Sequence, residues 1–177
     1  MAEFTVSLST QSANASWGDN AKLSFVESGA VIHLPDDSAN ERTIQQAARK
    51  LDGLSLPGVT LAGEWSKEQQ WAFALSFTRA RNPASITWAN NTDKATLEQE
   101  YAALLFTRQL VNDTPEDLSP ETLAQRAADW LKSLGKDNVN YTMTVGEELK
   151  NEGWVGIYNV GRGSERPPAM LVLDYNP

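Results

Sequence analysis

The 177-residue chain is 41 % apolar and 21 % charged, enough to bury a core and too apolar for a disordered tail. A net charge of −8, from 15 basic and 23 acidic residues, argues against a phosphate-gripping nucleic-acid surface, and the nearest basic pair, Arg162 and Arg166, has Glu165 between its members. The absence of cysteine removes disulfides, thiolate catalysis and cysteine-based zinc sites.

No apolar run approaches the ~18 residues of a membrane span. The start MAEFTVSLST has neither a basic nor an apolar leader segment, so a soluble, unexported protein is expected.

Phe4, Val6 and Leu8 alternate with Thr5, Ser7 and Ser9, which predicts a half-buried strand. Ala21 to Glu27 repeats the pattern through Leu23 and Phe25, and Gly29 to Leu34 follows a Ser28-Gly29 turn that closes a hairpin. Gln11 to Asn20 between them is polar and pinned by Trp17. Ser38 and Glu41 stand as a capping box before Ile44, Ala47, Ala48 and Leu51, a helix ended by Gly53. Val59 to Ala62 is a short strand. Ser66 and Gln69 form a second capping box ahead of Trp71, Ala74, Leu75 and Phe77, and Ile86 to Ala89 is a further strand. Strands now alternate with helices, which predicts an α/β fold: a mixed, mainly parallel sheet with flanking helices and an antiparallel margin from the hairpin.

Asn91 to Val111 is the longest helical pattern, with Leu97, Tyr101, Leu104, Leu105 and Val111 as its stripe. At ~1.5 Å per residue it is long enough to link two domains. It stops before Pro115, and the domain boundary is placed near residue 113, giving 1–113 and 114–177. Ser119-Pro120-Glu121 then starts a helix with Leu123, Ala127, Trp130, Leu131 and Leu134 as its buried stripe and Gly135 as its end. Val139 to Val145 alternates like a strand, Gly146 to Asn151 makes one or two helical turns, and Trp154 to Val160 counts as a third strand-like piece. The final run, Ala169 to Leu173, is continuously apolar and predicts a strand buried on both faces. So little chain follows it that the 177 residues are expected to be a piece of something longer.

Few residues suggest chemistry. His33, the sole histidine, reads as a partly exposed strand residue, since one imidazole makes no metal site without partners and leaves no serine or threonine with an obvious base. Asp36-Asp37 after Pro35 reads as a solvated turn, and Asn91-Thr92-Asp93 as helix capping. Gly161-Arg162-Gly163-Ser164 lacks the lysine of a phosphate loop and the third glycine of a dinucleotide fingerprint, so it reads as a turn. Glu147, Glu148 and Lys150 read as an exposed helical face, and the six tryptophans as core. No catalytic, metal-binding or cofactor-binding residue is assigned.

The segment Thr114 to Trp130, TPEDLSPETLAQRAADW, with Val139-Asn140-Tyr141 and GEELKNEGWVGIYNVGRGSERPPAMLVLDYNP, resembles the start of the catalytic domain of leucyl aminopeptidases. LSTQSANASWGDNAKLSF and IQQAARKLDGL resemble the amino-terminal domain of one bacterial branch of that family, so the likeness covers nearly the whole chain. The resemblance implies a cytoplasmic metallo-aminopeptidase, a peptide hydrolase that uses two bridged divalent ions, manganese or zinc, to remove N-terminal residues from peptides. It also implies a homo-hexamer with peptide substrates, with neither nucleic acid nor membrane as partner. The family's metal-binding motifs lie beyond the end of this chain, and Asn91-Thr92-Asp93 copies only three letters of one of them before Lys94-Ala95. The chain is therefore expected to be an inactive amino-terminal portion that serves assembly and substrate access, with residues 114–177 as the truncated opening of the catalytic domain. The alternative is a stand-alone binding or assembly module. A DNA-associated role, known for some relatives in the wider family, is disfavoured by the charge.

Overall fold

The computed structural model describes residues 4–18, 20–34, 40–77, 84–90, 94–135 and 138–176. The expectations at Asp36-Asp37, at the Ser38 cap and at Asn91-Thr92-Asp93 lie outside them. The chain divides into two compact units, Met1–Gln109 and Leu110–Pro177.

In the first unit, β1 (Thr5–Ser9) is the central strand. Its neighbours are β3 (Gly29–His33) and β4 (Gly58–Ala62), both parallel to it, with β5 (Ser85–Thr87) parallel beyond β4. The antiparallel margin is β2 (Leu23–Val26), paired to β3 with Leu23 opposite Ile32, so the sheet order is β2-β3-β1-β4-β5. This is the mixed, mainly parallel sheet that the alternation predicts. β1, β3 and β4 put Val6, Ala30, Ile32, Val59 and Leu61 into one core.

The crossovers from β3 to β4 through α1 (Asn40–Asp52) and from β4 to β5 through α2 (Lys67–Ser76) run the same way across the sheet. Right-handed connections therefore place both helices on one face, where they pack on each other. Ile44, Ala47, Ala48 and Leu51 of α1 and Phe73 of α2 are sealed from solvent. Ser66 caps α2 in the predicted box: its Oγ accepts from Gln69 N at 3.2 Å, and Gln69 Oε1 accepts from Ser66 N at 2.9 Å.

The helix α3 (Lys94–Asn112) carries Leu97 and Tyr101 into this core, where Tyr101 meets Trp88 edge-on at 5.6 Å. Lys67 Nζ reaches Glu100 Oε1 at 3.0 Å, and Arg108 Nη2 donates to the Leu75 carbonyl at 2.9 Å. The predicted stripe narrows toward its end: Leu104 and Leu105 are partly buried and Val111 is 79 % exposed.

The second unit begins its regular structure with α4 (Pro120–Ser133), whose Ser119 cap closes a box with Thr122. Its buried residues are Ala124 and Ala128, so the stripe is rotated from the predicted one and Leu123 and Leu134 are exposed. Small side chains bring the helix close to the hairpin of β6 (Val139–Val145) and β7 (Ala169–Tyr175), paired in antiparallel register from Val139–Tyr175 to Val145–Ala169. β7 is not buried on both faces as expected; Val172 and Leu173 are each 48 % exposed. One helix covers a hairpin on one side only. Between the strands lie α5 (Glu147–Asn151) and α6 (Val155–Gly161), so the strand-like reading of Trp154 to Val160 gives way to a helix. Gly153, at φ +91°, reverses the chain, and Tyr158 N donates to the Trp154 carbonyl at 3.1 Å, which starts helical pairing at once.

Candidate functional site

His33 is buried rather than partly exposed, because β3 lies between β1 and β2 and is covered on both faces. Its Nδ1 lies 2.8 Å from the Gln11 carbonyl oxygen and its Nε2 lies 2.8 Å from Ser24 Oγ. A carbonyl only accepts, so Nδ1 carries the hydrogen, and in the neutral ring Nε2 accepts from the Ser24 hydroxyl. The pair resembles a nucleophile and base held by a carbonyl. Both side chains are nonetheless more than nine-tenths buried, so Ser24 has no access to a substrate, and the network serves to fix the loop that follows β1.

That loop is one wall of a crevice of about 570 Å³ outside the carboxyl ends of the parallel strands. Leu8 and Leu34 supply apolar surface, Ser9, Thr10 and Gln11 come from the end of β1, and Asn40 comes from the start of α1. Gly63, at φ +85°, turns the chain out of β4 and brings Glu64, Ser66 and Gln69 to the opposite wall. The Glu68 carboxyl is held below its usual range, first by its own backbone N–H and then by the Ser66 hydroxyl, which donates to Oε2 at 2.8 Å. Neither Glu64 nor this crevice was singled out by sequence pattern. The signal lies in topology, which a single sequence gives only once strand order is known.

In the second unit, Gly161 to Ser164 forms the predicted turn: Ser164 N donates to the Gly161 carbonyl at 3.0 Å and Arg166 N to Ser164 Oγ at 3.1 Å. Gly161 lies against the ring of Pro168, where a Cβ would collide with it, and Gly146 N donates to the Pro168 carbonyl at 2.8 Å. Arg166 reaches Glu116 at 3.0 Å. A mainly apolar groove of about 540 Å³ runs between Pro120, Ile157, Val160 and Pro168. Glu147, Glu148 and Lys150 lie exposed, as expected of a solvated face. Lys132 sits 4.7 Å from the centre of the Tyr141 ring, and hydrogen bonding to Tyr141 raises its pKa. Of the tryptophans, Trp65 and Trp88 are core, whereas Trp17 and Trp154 are nearly half exposed.

Among the described residues no three His, Asp or Glu side chains gather as a metal ion would need. The described residues therefore do not supply the donor set of a two-metal centre. No helix among the described residues is long and apolar enough to cross a membrane.

The family model for the cytosol aminopeptidase family, catalytic domain, matches residues 105–177, and a model described as a peptidase matches residues 5–92. The chain is thus similar to the cytosol aminopeptidase family along nearly its whole length. Within it, peptidase B from Pectobacterium atrosepticum is 45 % identical over 97 % of this chain and 41 % of that protein. The chain thus spans about two fifths of the length of the curated relatives it matches. Among solved structures, the bottromycin maturation enzyme BotP in complex with Mn superposes with a TM-score of 0.72 at 21 % identity, covering 100 % of this chain and 46 % of that one. The cytosol aminopeptidase from Coxiella burnetii gives a TM-score of 0.69 at 15 % identity, covering 97 % and 44 %. At such identities the superpositions show the shared fold.

Proposed function

We propose that the chain is the amino-terminal portion of a metal-dependent aminopeptidase that removes N-terminal residues from peptides in the cytoplasm. One observation carries this reading: the 45 % identity to peptidase B runs through 97 % of the chain yet spans only 41 % of that relative. Residues 1–113 are an amino-terminal domain, and 114–177 open the catalytic domain. The two divalent ions, manganese or zinc, are held by the remainder of that domain, and the manganese complex of BotP favours manganese. This portion serves assembly of a homo-hexamer and access of peptides to its interior; the exposed Val172, Leu173 and Tyr175 on β7 support a role in packing against further protein.

The test compares the 177 residues with the protein encoded when the natural reading frame is followed past Pro177. Hydrolysis of leucine p-nitroanilide is expected only from the longer protein, dependent on added Mn²⁺ and abolished by a chelator. A stop codon at that point, or a metal-dependent rate from the 177 residues alone, would overturn the proposal.

A further inference from the structure

We propose that the crevice at the carboxyl ends of β1, β3 and β4 binds a primary ammonium group, that of a peptide amino terminus; the choice of a peptide rests on the aminopeptidase reading above. Its position comes from topology. β1 and β4 are neighbours, but the chain leaves β1 toward the β2–β3 side and leaves β4 toward β5. Diverging connections open a gap outside the strand ends, where open α/β sheets take their ligands.

Charge selects the ligand. Among the described residues, the wall groups are hydroxyls and amides apart from Glu64, the one charged side chain lining the crevice, and no lysine or arginine joins them. Glu64 is exposed and has neither a hydrogen bond nor an ion pair among the described residues. An anion is disfavoured although α2 begins here. Ser66 Oγ accepts from Gln69 N, Gln69 Oε1 accepts from Ser66 N, and Glu68 places its own carboxylate against its backbone N–H, so the helix start already has its acceptors. A divalent metal is disfavoured because one carboxylate among the described residues is too small a donor set. An ammonium satisfies Glu64 and donates to a neighbouring oxygen such as Thr10 Oγ1, while the amides of Gln11 and Gln69 suit the peptide backbone behind it. The wall is held ready: the buried His33–Ser24 pair fixes the Gln11 carbonyl, so the loop after β1 does not have to order itself on binding.

The test is amide NMR of the full 177-residue chain titrated with Leu-Gly-Gly in the presence of EDTA. Shifts are expected at Ser9, Thr10, Gln11, Glu64 and Ser66. N-acetyl-Leu-Gly-Gly, which lacks the ammonium, should bind at least about tenfold more weakly, and Glu64→Gln should weaken Leu-Gly-Gly by a similar factor. Glu147→Gln, in the other unit, should change nothing. The proposal is overturned if no crevice amide moves up to roughly 10 mM peptide, or if the acetylated peptide or the Glu64→Gln chain binds equally well. The readout needs no metal and no turnover, so a negative result leaves the aminopeptidase reading standing. Crevice binding in a protein whose longer form has no peptidase activity would overturn only the choice of a peptide.

Discussion

Phe73 gives the sharpest test of the first unit's core. Its ring is fully buried, edge-on to Trp65 at 5.8 Å and tilted against Phe77 at 5.2 Å. Phe73→Ala removes roughly 150 Å² of buried apolar surface, about 4 kcal/mol at ~25 cal/mol per Å². That agrees with the ~3–5 kcal/mol typical of phenylalanine truncation in a core. A domain of this size has about 5–15 kcal/mol in total, so the loss is a large fraction of its stability. The assay is urea unfolding followed by tryptophan fluorescence, to which the neighbouring Trp65 contributes. With a slope near ~1.5 kcal/mol per M, the midpoint should fall by about 2–3 M. A shift below roughly 0.5 M would refute the argument, since the three-ring contact would then not be a close-packed part of the folded unit.

Two further outcomes follow from geometry. Glu68 has a lowered folded pKa, so its stabilisation is present above the ordinary value of 4.5 and is lost as pH falls through the lower folded value. Carboxyl NMR should place its midpoint below 4.5 and closer to that value in Ser66→Ala; equal midpoints would discard the hydroxyl's role. Gly161→Ala drives a Cβ into the Pro168 ring and should cost the second unit about 1–3 kcal/mol while leaving the first unit's unfolding unchanged. Amide exchange read separately for the two units checks this, and an unaltered second unit would refute the collision with Pro168.

Sequence periodicity located the elements of the first unit well because strands and helices there share one core and each keeps its own period. Val6 and Ile32 are buried where alternation puts them, and Ser66 with Gln69 forms the box that their spacing predicts. The burial of His33 is not legible in the sequence because alternation separates two faces but does not tell whether the outer one is covered, and β3 is an interior strand. The second unit was less legible. α6 has no fully buried residue, so its apolar residues carry no helical stripe, and Val155, Ile157 and Val160 favour a strand by local propensity alone. The rotated stripe of α4 has a related cause: alanines face the hairpin, whereas the leucines carry the periodic signal in the sequence. The crevice was invisible because it joins residues from four separate places in the chain, and only strand order brings them together.

The order of the central sheet also sets a timetable for synthesis. β1 acquires its partner β3 after 24 residues, counting from Thr5 to Gly29, but its partner β4 only after 55, from Thr5 to Thr60. At ~5–20 residues per second, the second edge of β1 stays open for about 3–11 s after its first residue is added. During that interval the β2–β3 hairpin, made from adjacent segments, is positioned to shield the other edge. β3 thus closes one edge of β1 before either covering helix is made, while the edge that awaits β4 stays open.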